Sequence, residues 1–272
     1  MEDKLKIIMR AYTQKPRTTI GWTGPFNHPD PFGDPNIAEG IFYVRKMMVE
    51  IAKIGLPMAD EAVFTHNDGY VVDLLSWIAI GARSTEDQEH RIFASLIPHP
   101  VGMKNPTSGN IQIGINSVIA AQHQHIFSMR GQEFKTSGNP HAHLILRGGN
   151  QKSNFDQEKL EKATRLLKEN NLANPSIVVD ASHENSIDPT TGKKDPLLQP
   201  EVISQVVKTM KENPEIKETV KGFMVESFLE DGAQKLAKCQ SMDDIKPGVS
   251  VTDGCIGWEP TEKMILHLAE TL

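Results

Sequence analysis

The sequence has little that would tie it to a membrane, to nucleic acid or to an oxidising compartment. Its longest apolar runs, such as Ile78–Ala82 and Met264–Leu268, fall far short of the ~20 residues that span a bilayer. The amino-terminal MEDKLKIIMR lacks the charged-then-apolar layout of an export signal. Basic charge is not in excess. The formal net charge of −6 argues against broad contact with a polyanion, which requires a basic face. Cysteine is scarce: Cys239 and Cys255 sit in no CxxC or other ligand spacing and read as reduced thiols of a cytoplasmic protein. Internal repeats and low-complexity tracts are absent too.

What remains is an ordinary globular composition, 38% hydrophobic and 24% charged over 272 residues. Short β-type runs alternate with helical segments, the pattern of an α/β protein with a parallel sheet. Strands are expected at Lys6–Met9, Pro57–Asp60, Trp77–Gly81, Val101–Lys104, His143–Arg147, Ile177–Asp180 and Gly222–Glu226. Helices are expected at Ile37–Ile54, Thr85–Leu96, Ile111–Ala121, Asp156–Asn170, Glu201–Lys211 and Thr261–Glu270, with Thr85 and Ser153 as helix starts. Ile126–Met129 and Glu133–Lys135 read as a hairpin around Gly131. Seven core strands are one fewer than a closed barrel of parallel strands needs, and the shortfall is at the beginning. No domain boundary is visible, so residues 1–272 are expected to form a single barrel domain.

The informative pattern is where polar residues fall relative to the strands. Arg10 ends the first, Glu61 follows the second and Arg83 the third, while Lys104 and Arg147 end the fourth and fifth. His183 follows the sixth, Glu226 ends the seventh and Asp253 lies in a final loop. Charged groups at successive strand C-termini are how a barrel builds an active site on one face. The set divides by charge. Arg10, Arg83, Lys104 and Arg147, with Lys15 and Arg17 of the KPRT segment, supply six cations, more than one phosphate needs. That excess points to a substrate pair carrying two phosphates, or a phosphate and a carboxylate. The imidazole and two carboxylates of His183, Glu226 and Asp253 suit a divalent ion such as Mn, Fe or Zn.

The runs IIMRAYTQKPRTTIGW, SWIAIGARSTEDQEHR, PVGMKN, TSGNPHAHLILRGGN, VVDASHENS, MVESFLEDG and VTDGCIGWE resemble, in order, the class I 3-deoxy-D-arabino-heptulosonate 7-phosphate (DAHP) synthases. The resemblance implies a (β/α)8-type TIM barrel that lacks its first strand and helix. It implies the condensation of phosphoenolpyruvate with erythrose 4-phosphate, the first step of the shikimate pathway. Arg10, Arg83, Lys104 and Arg147 match the residues that bind phosphoenolpyruvate, and Lys15, Pro16, Arg17 and Thr18 match the KPRT motif that holds erythrose 4-phosphate. His183, Glu226 and Asp253 match three of four metal ligands. The fourth is a cysteine in a GPCSIHD-type motif on the first barrel strand, which this sequence does not contain, and Cys255 belongs to a TDxCIGW segment the family already has.

The reaction so implied is aldol-like, with C3 of phosphoenolpyruvate meeting the aldehyde carbon, the metal acting as a Lewis acid on the aldehyde oxygen, water adding at C2 and phosphate leaving. Lys104 and Glu61 are the candidates for proton handling. The partners expected are phosphoenolpyruvate, a phosphorylated aldehyde and further copies of the chain, with neither nucleic acid nor membrane. The hairpin around Gly131 looks shorter than in feedback-regulated members of that family, so the resemblance does not extend to feedback by an aromatic amino acid. Two readings compete: a catalytically impaired member serving as a binding or regulatory subunit, and an unrelated barrel metallohydrolase. The pairs His123/His125 and His141/His143 read as structural, and RGGN as a turn, since no GxGxxG surrounds it.

Overall fold

Strands buried on both faces read as nearly continuous apolar runs, and those of this chain fit that rule except where a charge closes them, as Asp60 and Glu61 do in the strand Met58–Glu61. Every residue of MADE, VGMK and HLIL is buried. The structure, a computed structural model, describes residues 4–15, 21–129 and 131–272. It falls into two compact units, one of Ile7–Lys104 with Asn116–His143, the other of Met1–Lys6, Asn105–Ile115 and Leu144–Leu272.

The first unit holds four parallel strands in sequence order, β1 (Met9–Arg10), β2 (Met58–Glu61), β3 (Trp77–Ile80) and β4 (Val101–Lys104). Helix α1 (Ile37–Lys53) returns the chain from β1 to β2. It begins where Asn36 accepts from the Glu39 amide at 3.2 Å and donates back to the Glu39 carboxylate at 2.9 Å. Its buried stripe is Gly40, Val44 and Met48, at helical spacing. A Cβ on Gly40 would lie 2.0 Å from the Phe26 carbonyl, so this helix can pack as it does only with glycine there. Helix α2 (Gln88–Leu96) joins β3 to β4, and helix α3 (Ile111–Gln122) follows β4. Strands β5 (Ile126–Met129) and β6 (Gln132–Lys135) form the antiparallel hairpin, with Phe127 and Phe134 stacked at 5.6 Å.

In the second unit β7 (His143–Leu146), β8 (Ile177–Asp180) and β9 (Val220–Met224) run parallel, again in chain order. Helix α4 (Gln157–Glu169) buries Leu160, Ala163, Thr164 and Leu167. Helix α5 (Gln199–Glu212) buries Val202, Ile203, Val206, Val207 and Met210. A short α6 (Pro214–Thr219) leads into β9, and α7 (Trp258–Thr271) ends the chain. Among the described residues no helix is long and apolar enough to cross a membrane.

The seven expected core strands are all present, with shifted ends. The first runs Met9–Arg10 instead of Lys6–Met9, and Ile7 and Ile8 are exposed. The last ends at Met224, so Glu226 lies two residues beyond it. Neither expected helix start holds. The Thr85 carbonyl accepts from Arg91 and Ser117 side chains within a turn, and α2 starts instead at Asp87, whose carboxylate caps the His90 amide. Asp156, not Ser153, caps α4 through the Lys159 amide, because the backbone at Asn154 is committed to Asn185. Helix α6 was not foreseen; Pro214 at its first position and the Asn213 cap are its signals.

Leu144 is fully buried, whereas Ile126 on the hairpin is 65% exposed. Leu144→Ala should lower unfolding stability by about 2–5 kcal/mol through the cavity it leaves. Ile126→Ala should change it by less than about 0.5 kcal/mol. Urea unfolding of the two variants checks both values.

Candidate functional site

In the first unit the ends of β1 and β2 bring a compact set of charges together. Tyr12 donates from its hydroxyl to Glu61 Oε2 at 3.2 Å. The Tyr12 ring lies under the Arg10 guanidinium at 4.9 Å and the Lys15 ammonium at 3.9 Å, both within cation–π range. Lys104 Nζ stands 4.0 Å from Glu61 Oε2, with both side chains buried. Glu61 is the last residue of β2, and Gly81 lies so close that a Cβ there would meet Glu61 Oε1 at 2.4 Å. Arg83 lies three residues beyond β3 in an exposed turn. Pro16, Arg17 and Thr18 fall outside the described residues.

Beneath this set Asp60 anchors the loop that carries it. Its carboxylate accepts from the Thr13 hydroxyl, from the Thr13 amide at 3.2 Å and from the Glu61 amide at 2.8 Å. Burial pushes Asp60 up to about 7 even though the Thr13 and Glu61 bonds favour its charged form. Asp68, lining the same small cavity, is pushed up by burial to about 6.

In the second unit three buried amides determine where the strand ends point. Asn105 Oδ1 accepts from the Arg147 amide at 2.9 Å and from Asn154 Nδ2 at 3.0 Å. Asn105 Nδ2 donates to the carbonyls of Pro106 and Gly148, at 2.8 and 2.9 Å. Asn154 Oδ1 takes the Gly148 amide at 2.7 Å. Asn185 Oδ1 takes the Asn154 amide, and Asn185 Nδ2 donates to the carbonyls of Leu146 and Asp180. Arg147, just past β7, is thereby held by its backbone, and its Nη1 lies 2.5 Å from Glu184 Oε2. The RGGN turn is structural: a Cβ on Gly149 would lie 2.0 Å from the Gly109 nitrogen.

His183, Glu226 and Asp253 each offer a ligand atom within 4.8 Å of the others. One ion bonded at about 2.0–2.2 Å would draw these atoms to within about 4.4 Å of one another, a small further approach, and one imidazole with two carboxylates is a donor set that suits a divalent ion. Each is fixed separately. His183 takes a left-handed backbone, φ 58°, and its Nδ1 lies 3.0 Å from Asp180 Oδ2, without an aligned hydrogen bond between them. The Glu226 backbone is clasped by Gln199, whose side chain accepts its amide at 2.8 Å and donates to its carbonyl at 2.9 Å. Asp253 is exposed, with the Cys255 thiol 3.5 Å from its carbonyl.

Sequence reasoning missed Tyr12, Thr13, Asp60, Glu184, Asn105, Asn154, Asn185 and Gln199. The available signal was that Asn105 and Asn185 lie inside PVGMKN and VVDASHENS. The paired histidines are structural: His123 and His125 bond the Ile119 and Ala120 carbonyls, and His143 accepts from the Trp77 indole at 3.0 Å.

The comparisons with known proteins agree on one family. The sequence matches the DAHP synthetase I family over residues 1–266. It is 40% identical over 276 residues to a Trp-sensitive phospho-2-dehydro-3-deoxyheptonate aldolase of Enterobacter agglomerans, covering all of this chain and 75% of that one. It is 38% identical over 277 residues to the Tyr-sensitive aldolase of Escherichia coli K12, with 100% and 74% covered. A solved phospho-2-dehydro-3-deoxyheptonate aldolase from Francisella tularensis superposes with a TM-score of 0.84 at 34% identity, covering 97% of this chain and 74% of that one.

Asn105→Asp keeps the acceptor for Arg147 but turns the donor to Pro106 and Gly148 into an opposing oxygen. It should cost at least about 2 kcal/mol in urea unfolding, far more than a surface Asn→Asp change. The raised Asp60 carboxyl predicts a pH effect of known sign. A group with its folded value near 7 takes up a proton on folding, so its contribution is full below the unfolded value and is lost as pH rises through about 7. The stability of the native chain relative to Asp60→Asn should therefore fall from about pH 4 to about pH 7 and level off above that, as read by thermal unfolding at each pH.

Proposed function

The chain belongs to the DAHP synthetase I family, with the α/β, TIM-barrel-type fold of its solved relative, and we infer that it condenses phosphoenolpyruvate with erythrose 4-phosphate or a similar phosphorylated aldehyde. The observation that carries this reading is the His183, Glu226 and Asp253 cluster, formed by loops far apart in sequence and fitted to a divalent ion. Arg147, Arg10, Arg83 and Lys104 are assigned to the phosphate and carboxylate of phosphoenolpyruvate. Lys15, with Pro16, Arg17 and Thr18, is assigned to the aldehyde's phosphate. A divalent ion of the Mn, Fe or Zn class, when bound, supplies a Lewis acid for the aldehyde oxygen.

The chain's own residues do the rest. The cations bind and orient phosphoenolpyruvate so that C3 faces the aldehyde carbon, converting an encounter into a positioned reaction. Lys104 and Glu61, buried and 4.0 Å apart, form a pair that can hold a proton near the reacting carbons. Tyr12 fixes the Glu61 carboxylate from the other side.

The purified chain supplied with Mn should consume phosphoenolpyruvate and release phosphate only when erythrose 4-phosphate is present. His183→Ala and Glu226→Gln should each weaken Mn binding by at least about tenfold in a metal titration. Turnover that survives complete chelation, or Mn affinity unchanged in both variants, would sink the assignment.

A further inference from the structure

The Arg147 guanidinium already has a partner that the condensation does not use. Glu184 Oε2 lies 2.5 Å from Arg147 Nη1, and the other oxygen, Glu184 Oε1, lies 3.0 Å from Lys194 Nζ. The Arg147 and Glu184 side chains are 7% and 15% exposed, whereas that of Lys194 is 54% exposed. The contact is built into the fold. The amide network holds the backbone on both sides of it, and a Cβ on Gly148 would lie 2.7 Å from Glu184 Cβ.

The pair is also incomplete. A forked arginine–carboxylate pair uses two parallel N–H bonds. Here one oxygen meets one nitrogen, without an aligned hydrogen bond, and Arg147 Nε is buried with no hydrogen-bond partner. Arg147 thus keeps an unused donor inside the protein, a cost that a better-matched anion would relieve. A phosphoryl group, with three oxygens and a charge of about −2, offers more than the resident carboxylate. A monoanionic carboxylate offers only an even exchange.

We propose that Glu184 is an internal counter-ion that occupies Arg147 until a dianionic phosphoryl group displaces it, so that Glu184 sets the preference of this position for phosphate dianions over carboxylates. Displaced, the carboxylate is received by Lys194. This rests on the reading above, in which Arg147 contacts the substrate's anion, and names the residue that tunes its selectivity.

The test is calorimetric titration of the full chain with inorganic phosphate and with pyruvate, in the native protein and in Glu184→Gln, Lys194→Ala and Arg147→Ala. Glu184→Gln should bind phosphate about tenfold tighter and gain still more for pyruvate, which narrows the discrimination between them. Lys194→Ala removes the alternative partner, leaves Glu184 on Arg147 alone and should weaken phosphate binding several-fold. A purely structural role for Glu184 would weaken binding of both ligands in Glu184→Gln, and that result overturns the proposal. So would equal phosphate affinity in the native and Gln forms, or shifts of the same sign in Glu184→Gln and Lys194→Ala. Phosphate binding that is undiminished in Arg147→Ala, or absent from every form, would instead overturn the anion assignment of Arg147, and the counter-ion role with it.

Discussion

Three buried side-chain amides, Asn105, Asn154 and Asn185, are the constraint on which the second unit's site depends. Each uses its oxygen as an acceptor, and Asn105 and Asn185 each reach two backbone carbonyls with the amide nitrogen. A buried amide left unpaired costs about 1–3 kcal/mol, so the network is stable only when complete. Its partners are the backbone groups of Leu146, Arg147, Gly148 and Asp180, where strands give way to loops. Strand ends would otherwise splay into water. The network makes them a fixed platform from which Arg147, His183 and Glu184 project.

The first unit meets the same need with a charge. Asp60 gathers the Thr13 hydroxyl and amide and the Glu61 amide, tying the segment after β1 to the end of β2. An amide would do so without regard to pH. A carboxylate raised to about 7 by burial makes the fastening depend on protonation. The two units therefore hold their loops by chemically different means, one insensitive to pH and one weakened as pH rises toward about 7.

Much of this was legible in the sequence, for identifiable reasons. The strands were visible because a buried parallel strand is nearly apolar along its length, as VGMK is up to Lys104 and HLIL is after His143. Lys104 and Arg147 stood out as members of a set: one charge at a strand end is ordinarily a solvated loop residue, but charges at successive strand ends are how a barrel builds a site. The amide hubs did not stand out. Asparagine is common in loops, and the roles of Asn105, Asn154 and Asn185 exist only through partners up to 49 residues away. Helix starts failed for a related reason. Thr85 is a good cap by residue type, but its segment was already engaged by Arg91 and Ser117, a long-range commitment that overrides local preference.

The charge count was legible too, but its pairing with carboxylates was not. Six cations pointed to a substrate pair carrying two phosphates, or a phosphate and a carboxylate. A buried cation without compensation is costly, and a protein offsets that cost before substrate arrives. Lys104 faces Glu61, and Arg147 faces Glu184. Some of the positive charge is thus balanced internally, and an anion that binds there would gain only the difference between itself and the carboxylate it replaces. The affinity of such a site follows from that difference, not from the number of cations. A sequence that lists the cations without their counter-carboxylates therefore overstates how strongly anions are held. It says little about the selectivity that competition between two anions for one guanidinium provides.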